Sequence, residues 1–180
     1  MNLPNKLTII RVLLVPIFII ALLYDNGTNS VSRIVALLIF VVASATDWFD
    51  GYIARKYNLI TDFGKLMDPQ ADKLLVASAL VCFVELGQLR AWVVIIIIAR
   101  EFIISGFRIV AANKGKVLAA AMSGKIKTVS QMITIILLLI NQPALYYITL
   151  IMTIIMLIMT VYSMIEYLYK NMHVFKTDGV

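Results

Sequence analysis

The sequence has almost nothing of the usual soft metal chemistry. Its 180 residues include one cysteine, Cys82, and one histidine, His173. A lone cysteine excludes an intrachain disulfide framework and a cysteine-rich zinc site, and a lone histidine near the tail makes a histidine-based metal site a poor expectation. Charge is also scarce. Only 14% of residues are charged and 62% are hydrophobic, whereas an ordinary soluble domain is about half apolar. The net charge of +6 would suit a nucleic-acid partner, but a mean hydropathy of +0.94 argues against one. Repeats and low-complexity tracts are absent as well. The length suits one domain, read here as 1–180.

What is present is apolar sequence in lengths that matter. A helix needs about 20 mostly apolar residues to cross a bilayer. Six such segments are expected, roughly at 7–24, 32–55, 69–86, 91–112, 126–141 and 144–168. The separators DNGTNS, Arg55–Met67, ELGQLR, NKGK to SGK, and NQPA carry the Gly, Asn, Pro and charge of turns. Pro16 lies inside the first segment, where neighbouring helices can absorb a kink. That segment also has the basic start of a signal peptide, but no small-residue cleavage site precedes DNGT and its apolar run is long. The fold expectation is therefore all-α: an integral membrane bundle of six transmembrane helices with a short N-terminal interfacial segment.

The basic residues explain themselves through topology. With this segmentation Lys6, Arg11, Arg55, Lys56, Lys65, Lys73, Lys114, Lys116, Lys125, Lys127, Lys170 and Lys176 fall on one side, and Arg33 and Arg90 on the other. Arg100 and Arg108 lie within the fourth segment. An excess of Lys and Arg marks the cytoplasmic side, so both termini are expected there, as is the acidic stretch that follows the second segment.

Half of the ten acidic residues lie between Asp47 and Asp72. Asp47 and Asp50 are three apart, Asp68 and Asp72 four apart, and each spacing shares a helix face. A short link between antiparallel neighbours would bring the two pairs together. Gathered carboxylates repel unless a cation sits among them, and an oxygen-only set favours Mg²⁺ or Mn²⁺ over Zn²⁺, as one ion or two. The plainer alternative is capping and ion pairing with Arg55, Lys65 and Lys73. Asp68-Pro69 does read as an N-cap followed by proline at the first helical position, and Gly64 reads as the residue that lets the link turn. Four carboxylates at membrane depth nevertheless favour function. Gly51 and Ala54, both small, allow a ligand or a helix to approach closely.

The spacing Asp47-x2-Asp50-Gly51-x2-Ala54-Arg55-x8-Gly64-x3-Asp68-x3-Asp72 resembles the signature of the CDP-alcohol phosphotransferases, with no departure at any fixed position. The resemblance implies that a CDP-linked lipid binds with its pyrophosphate on divalent metal, that an alcohol attacks the lipid-side phosphorus, and that CMP leaves. It implies metal binding by Asp47, Asp50 and Asp68. Asp72 is implied as a further metal ligand and as general base. Gly51, Ala54 and Arg55 are implied as nucleotide contacts. Sharing a site with other carboxylates raises the proton affinity of Asp72 and metal lowers it; both outcomes stay open.

Three further stretches bear on the acceptor. LPNKLTIIR, with Pro4, Asn5, Leu7, Thr8 and Arg11, resembles the start of the bacterial phosphatidylglycerophosphate synthases within that family, which places Thr8 near the nucleotide. An interfacial anchor is the alternative for this stretch. AREFIISGFR places Arg100 and Arg108 about two turns apart on one face, and SGKIKT puts Lys125 and Lys127 at a helix start, a natural phosphate site. Both stretches resemble the same synthases, so the four basic residues are expected to hold a phosphorylated acceptor. Pairing of Arg100 near Glu101, and a purely topological role for the lysines, are the alternatives. Trp92, Tyr146, Tyr147, Tyr162, Tyr167 and Tyr169 fit aromatic belts. The Met-rich IMTIIMLIMT needs no metal role, and His173 receives none.

The expectation is a membrane enzyme that transfers phosphatidyl from CDP-diacylglycerol to sn-glycerol 3-phosphate. It would act in the cell membrane, facing the cytoplasm, without nucleic acid, and as a homodimer, as the resemblance implies. Inositol phosphate or phosphatidylglycerol are the alternative acceptors. A divalent-cation transporter is the alternative outside the family.

Overall fold

The computed structural model describes the backbone of residues 3–56, 62–113, 115 and 121–172, and the side chains of these except 3–6, 47–56, 62–66, 68, 69 and 113. Among the described residues there is no strand. Six α-helices follow one another: α1 (Leu3–Leu23), α2 (Ser30–Lys56), α3 (Asp62–Glu85), α4 (Ala91–Asn113), α5 (Met122–Ile140) and α6 (Tyr146–Asn171). Among the described residues three stretches are long and apolar enough to cross a membrane: Leu7–Gly27, Met122–Ile140 and Pro143–Asn171. The chain forms two compact units, Met1–Leu89 and Arg90–Val180.

In the first unit α1 is the hub and packs along both α2 and α3. Ala36, Ala43, Ala71 and Ala79 are buried, and their small side chains bring the helices close. Phe18 and Phe40 fill the α1–α2 contact with ring centroids 6.1 Å apart. The α1–α2 connection is a short 3₁₀ turn, Tyr24–Gly27, with left-handed backbone at Asp25, Asn26 and Gly27. A side chain at Gly27 would also meet Leu86, because an added Cβ falls 2.9 Å from its Cδ2. Asn29 caps α2, its Oδ1 accepting the N–H groups of Val31 at 2.9 Å and Ser32 at 3.2 Å.

One buried arginine closes this end of the unit. Arg33 donates from Nη1 to the Gly27 carbonyl at 2.9 Å and from Nη2 to Gln88 Oε1 at 3.4 Å. The start of α2 therefore lies beside the turn after α3, and α2 and α3 run antiparallel.

Two sequence expectations fail at α3. The helix begins at Asp62, not at residue 69, so Asp68-Pro69 is neither cap nor first turn but lies inside the helix. Gly64 likewise sits in the helix and not in the link. Proline removes one backbone hydrogen bond and crowds the carbonyl four residues earlier; helices packed in a membrane accommodate that loss.

In the second unit α5 lies along α6, and α4 packs on α6. The buried faces are polar. Ser123, Lys127, Ser130, Gln131 and Thr134 are buried on α5, and Thr160 and Ser163 on α6. The outer faces are isoleucine-rich, with Ile148, Ile151, Ile154, Ile158 and Ile165 exposed. A helix in lipid gains nothing from hiding leucine from leucine-like tails, so small and hydrogen-bonding residues take the inner face. Thr134 Oγ1 donates to the Met152 carbonyl at 3.1 Å and ties α5 to α6 directly. Left-handed Asn141 ends α5, its N–H bonded to the Leu137 carbonyl at 3.0 Å.

Candidate active site

The signature residues divide between two helices. Asp47, Asp50, Gly51, Ala54 and Arg55 lie in the last part of α2, and Asp68 and Asp72 in the first part of α3. The side chains of Asp47, Asp50, Gly51, Ala54, Arg55 and Asp68 lie outside the described residues, so their backbone levels carry the geometry. At 1.5 Å per residue, Asp47 is about 21 Å along α2 from Arg33, and Asp72 is about 20 Å back along α3 from Glu85. Asp50 and Asp68 each lie about 26 Å from the same two reference points. Because Arg33 joins the two reference ends, the four aspartates fall on two matched levels about one helical turn apart.

Thr8 on α1 lies about 22 Å from Leu23, at that same end of the unit. It is fully buried, and Arg11 one turn further is buried too. Asp72 is half-buried and engaged with a partner in the structure. Among the described residues no three His, Cys, Asp or Glu side chains cluster for a metal; the oxygen-only donor set of the four aspartates would suit a hard divalent cation.

The four basic residues of the second unit separate into two kinds. Arg108 and Lys125 are exposed. The Arg108 guanidinium lies 5.9 Å from the centroid of the Tyr167 ring, which in turn meets Phe107 edge-on at 6.1 Å. Arg100 and Lys127 are buried. Lys127 Nζ donates to Glu101 Oε1 and to Gln131 Oε1. Arg100 donates from Nη1 to Glu101 Oε1 at 3.3 Å and from Nη2 to Ser163 Oγ at 3.3 Å, while its Nε–H has no hydrogen-bond acceptor. Helix α5 starts at Met122, four residues before the expected boundary, so Ser123, Gly124 and Lys125 belong to its first turn. Ala121 before it offers no side-chain cap, and the first N–H groups of α5 are of the kind that bind anions.

Sequence reasoning missed part of this cluster. Tyr167 is not in an aromatic belt: it is 4% exposed, and its hydroxyl has no hydrogen-bond partner. The signal was its spacing, since Met156, Thr160, Ser163 and Tyr167 recur at helical intervals of four, three and four on the buried face of α6. Glu101, Gln131 and Ser163 were not expected as site residues either. Trp92, Tyr146, Tyr147, Tyr162 and Tyr169 are exposed as belts require. His173 lies outside the described residues.

An all-helical chain with several helices long and apolar enough to cross a membrane defines a class, the helical membrane proteins. Comparison narrows the class. A family model described as CDP-alcohol phosphatidyltransferase matches residues 1–164, and the chain belongs to that family. Among curated relatives, a Bacillus subtilis CDP-diacylglycerol–glycerol-3-phosphate 3-phosphatidyltransferase is 48% identical over 150 residues, 78% of each chain. A Pseudomonas fluorescens protein of the same name is 41% identical over 189 aligned residues, covering 99% of this chain and 94% of the relative. A Rickettsia felis protein, also so named, is 43% identical over 141 residues, 78% of this chain and 76% of the relative.

Proposed function

We propose that this protein transfers the phosphatidyl group of CDP-diacylglycerol to sn-glycerol 3-phosphate, giving phosphatidylglycerophosphate and CMP. The observation that supports it most is the reach of the family match. Residues 1–164 take in the four aspartates and all four basic residues, and relatives at 41–48% identity carry the name of this reaction. The same match favours an enzyme over a cation transporter.

In this reading 1–180 is one catalytic domain with six membrane spans and both termini in the cytoplasm of a cell-membrane protein. It works as a homodimer. Asp47, Asp50, Asp68 and Asp72 hold Mg²⁺ or Mn²⁺, as two ions. When bound, the metal neutralises the pyrophosphate of the donor lipid and the charge that develops on CMP. Thr8, Gly51, Ala54 and Arg55 hold the nucleotide, the two small residues leaving room for it against the helix. Asp72 accepts the proton of the acceptor hydroxyl. That oxygen forms its bond to the lipid-side phosphorus as the bond from this phosphorus to the bridging oxygen breaks, and the electron pair leaves on CMP. Arg100, Arg108, Lys125 and Lys127 supply the positive charge for the acceptor's own phosphate, which arginine meets as a two-pronged donor.

Purified protein supplied with CDP-diacylglycerol and one alcohol at a time tests the assignment. Glycerol 3-phosphate should turn over fastest. Faster turnover with inositol phosphate or with phosphatidylglycerol would refute the acceptor, and ion flux through vesicles with no CMP release would refute the enzyme.

A further inference from the structure

The buried pair in the second unit carries an inference that rests on the acceptor reading above. We propose that Glu101 is a positioning residue for the acceptor's phosphate. One of its carboxylate oxygens, Oε1, accepts from both Lys127 Nζ and Arg100 Nη1. Two cations on one carboxylate leave a net positive charge, so the cluster still attracts a phosphate. The cations are engaged to different degrees. Lys127 is 2% exposed and donates to both Glu101 and Gln131, so it cannot reach out without breaking a buried ion pair, which is costly in surroundings of low polarity.

Arg100 is held at both tips of its fork, by Glu101 and by Ser163, with Nε–H left over. That leftover donor is at least nine-tenths buried with its residue and has a fixed direction only while both tips are anchored. Lys127 thus acts through Glu101, and Glu101 acts through Arg100. Glu101 also joins helices: the carboxylate is on α4, Lys127 on α5, and the Arg100 fork extends the chain to Ser163 on α6. Without the carboxylate, two like charges face each other out of water and Arg100 loses one of its two anchors. The expected consequence is a weaker hold on the acceptor, with no change in the hold on the CDP-lipid.

Steady-state kinetics on the full-length protein in lipid nanodiscs decides it. Glu101→Gln should raise KM for glycerol 3-phosphate about tenfold and leave KM for CDP-diacylglycerol within about twofold. Glu101→Asp, which keeps the charge, should recover part of the loss. Should Glu101→Gln fail to fold, Ser163→Ala, which frees the other tip of the Arg100 fork, should show the same one-sided change. An unchanged or lowered KM for glycerol 3-phosphate overturns the proposal, the lowered value marking Glu101 as a competitor of phosphate. So does an equal change for both substrates with a fall in Tm, which marks a purely structural ion pair. No wild-type turnover with glycerol 3-phosphate would overturn the functional reading and this inference with it. Normal wild-type turnover with unaltered variants would overturn the inference alone.

Discussion

The two units solve the problem of charge in a membrane in opposite ways. The first gathers acids. Four aspartates stand on two matched levels of α2 and α3, far from the end that Arg33 clamps. The second gathers bases: Arg100 and Lys127 buried around one carboxylate, and Arg108 and Lys125 left exposed. In the proposed reading the acids receive a cation, whereas the bases that receive a phosphate are held ready by a shared counterion, since Glu101 Oε1 accepts from both Arg100 and Lys127. The difference teaches that hydropathy and function compete. Helices α2, α3 and α4 carry most of the charge of the six.

The sharpest way to break the contrast is on the acidic side. Asp72→Asn keeps the shape and removes the proposed base, so kcat should fall about 10²–10⁴-fold, measured as CMP release; an unchanged rate would remove Asp72 from the chemistry. On the basic side, Arg108→Ala should raise KM for glycerol 3-phosphate by about tenfold to a hundredfold with little effect on KM for CDP-diacylglycerol. A selective loss of CDP-lipid affinity would move Arg108 to the other substrate. Away from both sites, Arg33→Met should cost the first unit about 1–3 kcal/mol in a thermal or denaturant melt while both KM values stay put. A shift in either KM with no loss of stability would give Arg33 a functional part. The smallest effect belongs to the outer face of α6, where Ile154→Leu should stay within about 0.5 kcal/mol of wild type and leave turnover unaltered.

Much of this was legible in the residues themselves. The helical segments follow from apolar length, and the acidic signature follows from its spacing, because both are local properties of the chain. The start of α3 was not legible. Asp68-Pro69 has the composition of a helix start, yet the helix runs back to Asp62, since one lost backbone hydrogen bond does not stop a helix that packs along α1. Tyr167 and Glu101 were hidden for a related reason. The rule that polar residues face outward inverts in lipid, so a tyrosine near a helix end reads as a belt residue until the neighbouring Ser163 and Thr160 are seen to face inward with it. The glutamate next to Arg100 reads as an adjacent charge, and only the fold brings Lys127, twenty-six positions later, onto the same oxygen.

The most direct test of the whole account is a product balance on the purified wild-type protein in CDP-diacylglycerol vesicles with labelled glycerol 3-phosphate. With Mg²⁺ present, phosphatidylglycerophosphate and CMP should appear one for one, and a chelator should stop both until Mg²⁺ or Mn²⁺ is restored. Product formation that continues undiminished after the divalent metal is stripped, or CMP released with no labelled lipid, would contradict it.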